Sequence, residues 1–455
     1  MTPRRASMSR FAASLGALSA VILSGGLLAG QNLPGRQIVY TSAIPAPVGT
    51  TAEDFEPPPS PMELRAAFAA GAAGVVAANS AAEAVVPEVP WTEHGLARTP
   101  IDPASITFDE ERDRWIAPLD DGRIAVLTLE PSVQRHLEGV VSRYEEPGEA
   151  IVAIEPSTGR VIGMVDDGAD PAIHDGLARR RYAWAASTFK VITGAAFLAE
   201  GIATPETTVC YSGGSSGFEL ANLEPSDNDE ICLTLTEAMA WSANLVFARI
   251  ADQHLAPERL QYWAERFGYN TSIPFELPLE RSVAEIPEDR LEFARSAAGF
   301  RHTRLSPLHG ALIQAAIAND GVMMVPTIVD HIETADGEVV YTHRPAEWRT
   351  VLGPGVNARL VETLSETCSE GTARAYFAQR DGWPSTVRVW GKTGTLSNRE
   401  VDGSQPDQAY LFTWFTGFAE QGDDAVAVGG LVVNTPTWWI KGSYLAAEAV
   451  LASVR

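Results

Sequence analysis

Ser187-Thr188-Phe189-Lys190 and Lys392-Thr393-Gly394-Thr395 are the two stretches on which the interpretation of this chain rests. They hold two of the three lysines among 455 residues, and the 31 remaining Lys/Arg positions are all arginine. Arginine stays protonated in proteins and cannot act as a base, whereas a buried lysine can lose its proton. A serine hydroxyl needs such a partner, because it is a weak nucleophile at neutral pH. The first stretch therefore has the composition of a serine nucleophile with a lysine base.

The predicted secondary structure puts Ser187 and Lys190 on one face of a helix. The apolar pattern predicts a helix over residues 187–200, and residues three apart on a helix have Cβ atoms about 5–6 Å apart. At the helix start, Ser187 gains from the positive end of the helix dipole when an oxyanion forms. Apolar neighbours favour the neutral form of Lys190. The alternative is a lysine on the surface of a helix.

Two further motifs follow in order along the chain. Ser242-Ala243-Asn244 interrupts a helix predicted over residues 234–253, and Lys392-Thr393-Gly394-Thr395 follows a strand predicted over 387–390. Gly394 leaves room for a substrate backbone to approach closely. Thr393 and Thr395 offer hydroxyls to a carboxylate, and Lys392 offers a positive charge. A hairpin turn is the alternative reading of the second lysine motif.

The order of predicted elements indicates the fold class. A strand over 123–129 and a hairpin over 150–154 and 160–165 precede several helices, including one over 306–320. Strands over 410–418 and 425–433 and an amphipathic helix over 443–453 close the chain. This order predicts an α+β fold, with an antiparallel sheet flanked by helices.

Composition excludes some classes of function. The net charge is −24 and the pI is about 4.7, so a nucleic-acid partner is not expected, since phosphate binding needs a basic face. The eight histidines show no metal-ligand spacing, and no cofactor-binding loop is present. We therefore expect neither a metal nor a cofactor.

The N-terminal part carries a membrane signal. Residues 1–10 are basic and predict a cytoplasmic tail, and the apolar residues 11–30 are close to the ~20 residues that span a bilayer. They predict either a membrane anchor or a cleaved signal segment. Residues 31–105 are Ala/Pro-rich and predict a periplasmic linker. The catalytic domain is predicted over 106–455.

The three cysteines fit an exported protein, in which disulfides form. Cys210 and Cys232 flank a stretch rich in Gly, Ser, Asn and Asp, and we expect a bridge between them. Two unrelated buried thiols are the alternative. Cys368 is left over, and we expect it to be a buried free thiol.

The three motifs in this order resemble those of penicillin-binding proteins of the transpeptidase class, in the penicilloyl-serine transferase superfamily. The resemblance extends from about residue 120 to the end. Other segments that resemble the family are Leu127–Gln134, Ala153–Val161, Arg304–Ala311, Ala318–Gly321 and Trp414–Ala419. The resemblance implies a β-lactamase/transpeptidase-like fold with an all-helical subdomain.

The resemblance also implies a role for each motif residue. Ser187 attacks the carbonyl of a terminal D-Ala-D-Ala, and Lys190 takes its proton. Ser242 relays a proton to the leaving amine, and Asn244 contacts the substrate amide and Lys190. Lys392 supports the Ser242 hydroxyl electrostatically. Thr393 and Thr395 bind the substrate carboxylate, and the N–H groups of Ser187 and Thr395 form the oxyanion hole.

The implied activity is peptidoglycan D,D-transpeptidation, inhibited covalently by β-lactams. The partners are peptidoglycan stem peptides, β-lactams, the membrane through the N-terminal segment, and a separate glycosyltransferase, since the region before the catalytic domain is too short to hold one. The implied location is the bacterial cytoplasmic membrane, with the catalytic domain in the periplasm. The alternatives are a D,D-carboxypeptidase, a serine β-lactamase, or a non-catalytic β-lactam sensor or scaffold.

Overall fold

The computed structural model describes residues 101–213, 217–398, 409–436 and 440–454. The strands are β1 (Thr107–Asp109), β2 (Arg114–Pro118), β3 (Ile124–Leu127), β4 (Gly148–Ile154), β5 (Val161–Asp167), β6 (Ala183–Trp184), β7 (Thr208–Tyr211), β8 (Ile231–Thr234), β9 (Val283–Ala284), β10 (Thr303–Leu305), β11 (Val322–Met324), β12 (Val329–Glu333), β13 (Val339–Thr342), β14 (Glu347–Thr350), β15 (Arg388–Ser397), β16 (Leu411–Gln421) and β17 (Asp424–Asn434). The α-helices are α1 (Pro131–Val141), α2 (Pro171–His174), α3 (Lys190–Ala199), α4 (Leu235–Ala240), α5 (Asn244–His254), α6 (Pro257–Arg266), α7 (Arg290–Ala297), α8 (Pro307–Ala318), α9 (Pro354–Leu364) and α10 (Gly442–Ser453).

The main sheet is five-stranded and antiparallel, in the order β15-β16-β17-β4-β5. Strands β16 and β17 are long and rich in aromatic and β-branched residues, which suit a pleated, buried surface. The hairpin predicted from the sequence is β4-β5. Because β15 is at the edge, the strand that carries the second lysine motif has one side that is not paired in this sheet. The predicted α+β architecture, with an antiparallel sheet flanked by helices, is confirmed.

Helices cover both faces of the main sheet. Helix α8 packs on one face of β16, β17 and β4, and α10 packs on the other face, together with α1. Two adjacent glycines permit both approaches: a Cβ on Gly429 would lie 2.2 Å from the Pro307 carbonyl oxygen, and one on Gly430 would lie 2.7 Å from the Gly442 carbonyl oxygen. Because α10 lies between the sheet and α1, most of its residues are buried. The amphipathic character predicted for this helix is therefore wrong.

The all-helical subdomain is formed by α3 to α7 and α9. Helix α9 packs against α3 and α4, while α3 also contacts α6, and α5 contacts α7. Local sequence sets where these helices begin. Thr234 and Glu237 form a capping box at the start of α4, and the Asp289 side chain accepts from two N–H groups at the start of α7. Such caps satisfy backbone donors that have no partner within the helix.

A second five-stranded antiparallel sheet was not predicted. Its order is β1-β2-β3-β12-β13, so β3, near the beginning of the described chain, pairs with β12, about two hundred residues later. The sequence predicted β3 as a strand but not its partner. Residues 101–105, which lie in the predicted linker, contact this region of the protein: the Ile101 N–H donates to the Glu276 carbonyl at 3.0 Å, and Ile101 is buried.

Cys210 and Cys232 are directly opposite each other in the β7-β8 ladder. Their sulfurs form a disulfide across 22 residues, and Cys368 is a buried free thiol. The buried Arg249 on α5 also holds this loop. Its guanidinium donates to the carbonyls of Cys210 (2.6 Å), Asn222 (2.7 Å) and Glu224 (2.9 Å), and it pairs with Asp229. The loop is therefore attached to the helix that begins at Asn244.

We expect reduction of the Cys210–Cys232 bridge to destabilise the folded protein by roughly 3 kcal/mol, because a closed loop of this length restricts the unfolded chain. Intact-mass measurement after alkylation of the folded and the unfolded protein, with and without reductant, tests the bridge. Chemical denaturation of the two redox forms tests its effect. Cys368 is the internal control, since it should be alkylated only after unfolding. Alkylation of all three cysteines in unreduced, unfolded protein would contradict the prediction.

The predicted tail, membrane segment and most of the linker, residues 1–100, lie outside the described residues. Within residues 101–454, apart from the gaps given above, no helix is both long and apolar enough to cross a membrane.

Candidate active site

A cleft of about 380 Å³ lies where the edge of the main sheet meets the helical subdomain. Most of the site residues predicted from the sequence line it. They are Ser187, Ser242, Asn244, Thr393, Gly394 and Thr395. Lys190 and Lys392 lie behind them, and both are fully buried. The tertiary structure thus brings together three motifs that are up to about two hundred residues apart in the chain.

Ser187 lies on a 3₁₀ turn, Ala186–Phe189, that leads into α3. Burial of Ala186, Thr188 and Phe189 anchors this turn, and the Thr188 hydroxyl donates to the Ala185 carbonyl at 2.5 Å. Ala186, just before the serine, has a φ of +50°, a backbone conformation that is rare for a residue with a side chain. The predicted helix over 187–200 is therefore α-helical only from Lys190. Side chains three apart still align in a 3₁₀ turn, so the expected pairing of Ser187 and Lys190 holds.

The Lys190 Nζ has three oxygen neighbours. It lies 2.9 Å from Ser187 Oγ, 2.8 Å from Asn244 Oδ1 and 2.6 Å from the Ala298 carbonyl oxygen. The Asn244 amide oxygen and the carbonyl can only accept hydrogen bonds. A neutral amine has two N–H groups for these two acceptors and one lone pair for the Ser187 hydroxyl. An ammonium ion would donate to all three oxygens, whereas the neutral amine donates to these two acceptors and accepts the proton of the Ser187 hydroxyl.

Electrostatics favour the same protonation state. Burial holds the pKa of Lys190 well below its usual value, and the nearby charge of Lys392 lowers it further. Burial removes the water that stabilises an ammonium ion, and a like charge disfavours a second one. Lysine bases in proteins are tuned in this way.

Ser242 lies in the break between α4 and α5, with a φ of +60°. The Ala243 N–H donates to the Ala238 carbonyl at 2.8 Å, which closes the end of α4. Helix α5 then begins at Asn244, so the break turns Ser242 into the cleft and directs Asn244 toward Lys190. The interruption predicted near Ser242 is therefore the feature that positions both polar residues of this motif.

The backbone N–H and C=O groups of Thr395, on β15, point away from the partner strand β16. Just beyond this ladder, the Asn398 N–H donates to the Tyr410 carbonyl at 3.2 Å. Hydrogen-bonded and non-hydrogen-bonded pairs alternate along an antiparallel ladder, so the N–H and C=O groups of Thr393 and Thr395 face away from β16. This orientation leaves the Thr395 N–H free of the ladder on the side of the strand that meets the helical subdomain.

Lys392 is fully buried, and its Nζ donates to the Thr393 carbonyl at 3.0 Å. Burial lowers the pKa of Lys392 to about 7. No hydrogen bond joins Lys392 to Ser242 in the described part of the chain. In its protonated form, Lys392 bears on Lys190 through its charge and has no direct bond to Ser242 in the described residues.

Gly394 is needed for packing within the protein. A Cβ at this position would lie 3.2 Å from the Cβ of Ala186, from Thr188 Cγ2 and from the Cβ of Trp414. The turn that carries Ser187 thus packs directly on β15. From the sequence, Gly394 was predicted to leave room for a substrate backbone. The structure shows that a Cβ at this position would crowd the turn that carries Ser187.

Sequence reasoning missed half of the cleft wall. The additional lining residues are Trp241, Thr372, Thr413, Trp414, Lys441 and Ser443. The hydroxyls of Thr372 and Thr393 are hydrogen-bonded to each other at 2.7 Å. The Thr372 N–H donates to the Ala240 carbonyl at 3.0 Å, which links this threonine to the end of α4. One signal could have identified Lys441: it is the remaining lysine of a chain in which the other two lysines belong to site motifs.

The walls of the cleft carry polar donors rather than acids or metal ligands. None of the described lining residues is Asp or Glu. Across the described chain, no group of His, Cys, Asp and Glu side chains is arranged to hold a metal ion. The arrangement is one of serine nucleophile, neutral amine and outward-facing backbone N–H, which suits acyl transfer.

Comparison with known proteins identifies the family. Residues 149–454 match the penicillin binding protein transpeptidase domain. The peptidoglycan D,D-transpeptidase PbpA of Mycolicibacterium smegmatis is 30% identical over 342 residues, which are 67% of this chain and 66% of that protein. The chain therefore spans slightly less than two thirds of the length of this relative.

Solved structures agree with the described fold. Penicillin-binding protein A from Mycobacterium tuberculosis, as a penicillin G acyl-enzyme complex, is 25% identical with a TM-score of 0.54, covering 72% of this chain and 79% of that one. The D,D-transpeptidase domain of a peptidoglycan glycosyltransferase from Eggerthella lenta is 24% identical with a TM-score of 0.58, covering 72% and 82%. The match of residues 149–454 to the transpeptidase domain means that this chain belongs to the penicillin-binding protein transpeptidase family.

Proposed function

We propose that this protein is a peptidoglycan D,D-transpeptidase that works through an acyl-enzyme on Ser187. The observation that carries the proposal is the buried Lys190 amine 2.9 Å from Ser187 Oγ, at the wall of a cleft. The relative from M. smegmatis is named a peptidoglycan D,D-transpeptidase, and the M. tuberculosis structure is an acyl-enzyme with penicillin G. Both support the same chemistry for this chain.

In the first step, Ser187 Oγ attacks the carbonyl of the penultimate D-alanine while its proton passes to the neutral Lys190 amine. The carbonyl oxygen becomes an oxyanion, for which the N–H groups of Ser187 and Thr395 are the donors. The outward orientation of the Thr395 N–H supports this role. Preorganised backbone donors of this kind are among the largest contributions to acyl-transfer catalysis.

In the collapse of the tetrahedral intermediate, the C–N bond breaks and the leaving D-alanine amine takes a proton. Ser242 relays that proton from Lys190, and Asn244 holds the substrate amide as well as Lys190. Thr393 and Thr395 receive the substrate carboxylate, and Gly394 keeps β15 close to the serine. Lys392 contributes its positive charge, which depresses the pKa of Lys190.

In the second step, the amine of a neighbouring stem peptide attacks the ester, and the cross-link forms as Ser187 is released. Hydrolysis would instead need a group that activates water, as a glutamate does in some serine β-lactamases. No described residue that lines the cleft is acidic. This composition speaks against the glutamate-activated hydrolysis of some serine β-lactamases. An amine and water must both lose a proton when they attack, so the stem-peptide assay below separates transpeptidation from carboxypeptidase activity.

The same proposal extends to location and partners. A cell-wall substrate requires a catalytic domain outside the cytoplasm, so residues 11–30 act as an anchor in the cytoplasmic membrane or as an export signal, and residues 31–105 act as a periplasmic linker. A separate glycosyltransferase supplies the glycan strands whose stem peptides are cross-linked.

A stem-peptide assay tests the proposed function directly. The full chain is given a donor ending in D-Ala-D-Ala and an acceptor peptide with a free amine, and products are separated by mass. We expect a cross-linked dimer together with released D-alanine. Hydrolysed donor alone would indicate a carboxypeptidase, and rapid decay of a penicilloyl-enzyme would indicate a β-lactamase. A β-lactam adduct that forms while neither peptide product does would indicate a sensor or scaffold.

A further inference from the structure

The third lysine of the chain, Lys441, lines the same cleft as Ser187. All three lysines therefore converge on one site, although Lys441 belongs to none of the three motifs. It is partly buried at the N-cap position of α10. Burial lowers the pKa of Lys441, and a bound anion would counter that effect.

The register of the sheet brings Lys441 to the Thr395 end of the cleft. The N–H of Gly442, the next residue, donates to Thr413 Oγ1 at 3.2 Å. Thr413 is directly opposite Thr395 in the β15-β16 ladder. Side chains of such a pair lie on the same face of the sheet with Cβ atoms about 4.5–5.5 Å apart. Thr395, Thr413 and Lys441 therefore form one continuous stretch of the wall.

The hydroxyls of this wall are set up to donate. Thr413 Oγ1 accepts from the Gly442 N–H and from Asn434 Nδ2 at 3.1 Å, so its own hydrogen remains for a further acceptor. Ser443 is 3% exposed and lines the cleft. Its hydroxyl makes no hydrogen bond within the described residues. A nearly buried hydroxyl without a partner that faces a cleft is suited to a ligand atom.

The other two lysines lie behind the wall of the cleft. Lys190 contacts Ser187, Asn244 and the Ala298 carbonyl, and Lys392 donates to the Thr393 carbonyl. Both are fully buried, and neither lines the cleft. Of the cleft-lining residues that the structure describes, Lys441 is the one with a cationic side chain, and none is acidic.

We propose that Lys441 and Ser443 determine specificity for an acyl donor that carries a carboxylate, by binding that group at the Thr395 end of the cleft. The inference rests on the proposed function and adds two residues to it. The ligand group is the C-terminal carboxylate of the stem peptide, and the carboxylate of a penicillin has the same chemistry. A lysine–carboxylate contact is a charge-assisted hydrogen bond, which is stronger than a neutral one.

The test compares a donor with and without the carboxylate. Acylation rates of the full chain are measured with a penicillin and with its methyl ester, and, in a second arm, with a D-Ala-D-Ala peptide and its C-terminal amide. We expect Lys441→Met to slow acylation by both carboxylate ligands by roughly 10- to 100-fold. The ester and the amide should change less than about threefold, and Lys441→Arg should recover most of the lost rate.

A matched control removes a positive charge elsewhere on β15. Arg388 is 69% exposed and pairs with Glu420 on the neighbouring strand, so Arg388→Met tests the long-range effect of one charge. It should slow acylation by acid and ester alike by no more than about threefold, because salt screens exposed charges. Thermal melting of each variant reports its folding.

Several outcomes would overturn the role of Lys441. Equal slowing of acid and ester in Lys441→Met would mean that the lysine is structural, and unchanged rates would mean that it does not bind the carboxylate. An effect confined to the penicillin arm would remove the stem peptide as the ligand. Failure of the wild type to be acylated by any of the four ligands would instead contradict the Ser187 acyl-enzyme itself.

Discussion

Replacement of Ser187 by alanine is expected to abolish labelling by a fluorescent penicillin, with the acylation rate falling by at least roughly 10⁴-fold. The reason is that no other hydroxyl in the described structure touches the buried Lys190 amine. Because Ser187 is on a turn held by its buried neighbours Ala186, Thr188 and Phe189, the variant should keep its fold. Gel fluorescence and peptide mass mapping of the labelled protein are the measurements.

A serine outside the cleft provides the control for this variant. Ser369 is exposed, and its hydroxyl donates to the Ser365 carbonyl, so Ser369→Ala should label like the wild type. Both variants should melt within a few degrees of the wild type. Persistent labelling of a folded Ser187→Ala protein would refute the assignment of the nucleophile.

Lys190→Arg is expected to be nearly as damaging as Lys190→Ala, with each lowering the acylation rate by roughly 10³-fold. Arginine keeps a positive charge but has no lone pair at neutral pH, so it cannot take the proton of Ser187. Lys392→Arg should retain more activity, because at that position the positive charge matters more than the ability to lose a proton. Stopped-flow acylation of the folded variants measures the difference. Equal losses in the two arginine variants would show that this division of roles is wrong.

The pH dependence gives this prediction a second readout. Acylation should increase with pH as Lys190 loses its proton, with a midpoint well below 10.5, because burial and the charge of Lys392 lower its pKa. Lys392→Met removes that charge, so the midpoint of the acid limb should move to higher pH. A midpoint that stays in place in Lys392→Met would mean that the two lysines are not coupled.

The local sequence pattern was sufficient to predict the separate motifs of the site. The three-residue spacing of Ser187 and Lys190 puts their side chains together in an α-helix and in a 3₁₀ turn alike, so the pairing does not depend on which one forms. The break at Ser242 was also visible, because helical periodicity stops there and resumes at Asn244. The β4-β5 hairpin follows from two apolar runs around a turn. These features depend on neighbours a few residues away.

Pairing over long distances was not visible in the sequence. Strand β3 was predicted, but its partner β12 lies about two hundred residues away, and many other strands share its apolar pattern. Side-chain alternation identifies a strand and its buried face but not the edge to which it pairs. The second sheet could therefore be assigned only from the folded structure.

The sequence by itself determined which residue types carry the chemistry: a serine three residues before a lysine, a polar break in a helix, and a lysine on a strand. Only the tertiary structure decided what surrounds them. It buried Lys190 beside the Ala298 carbonyl, used Gly394 to pack β15 on the serine turn, and brought Lys441 to the cleft. The physical reason is that burial, charge proximity and close packing depend on contacts between distant parts of the chain, which periodicity and spacing do not encode.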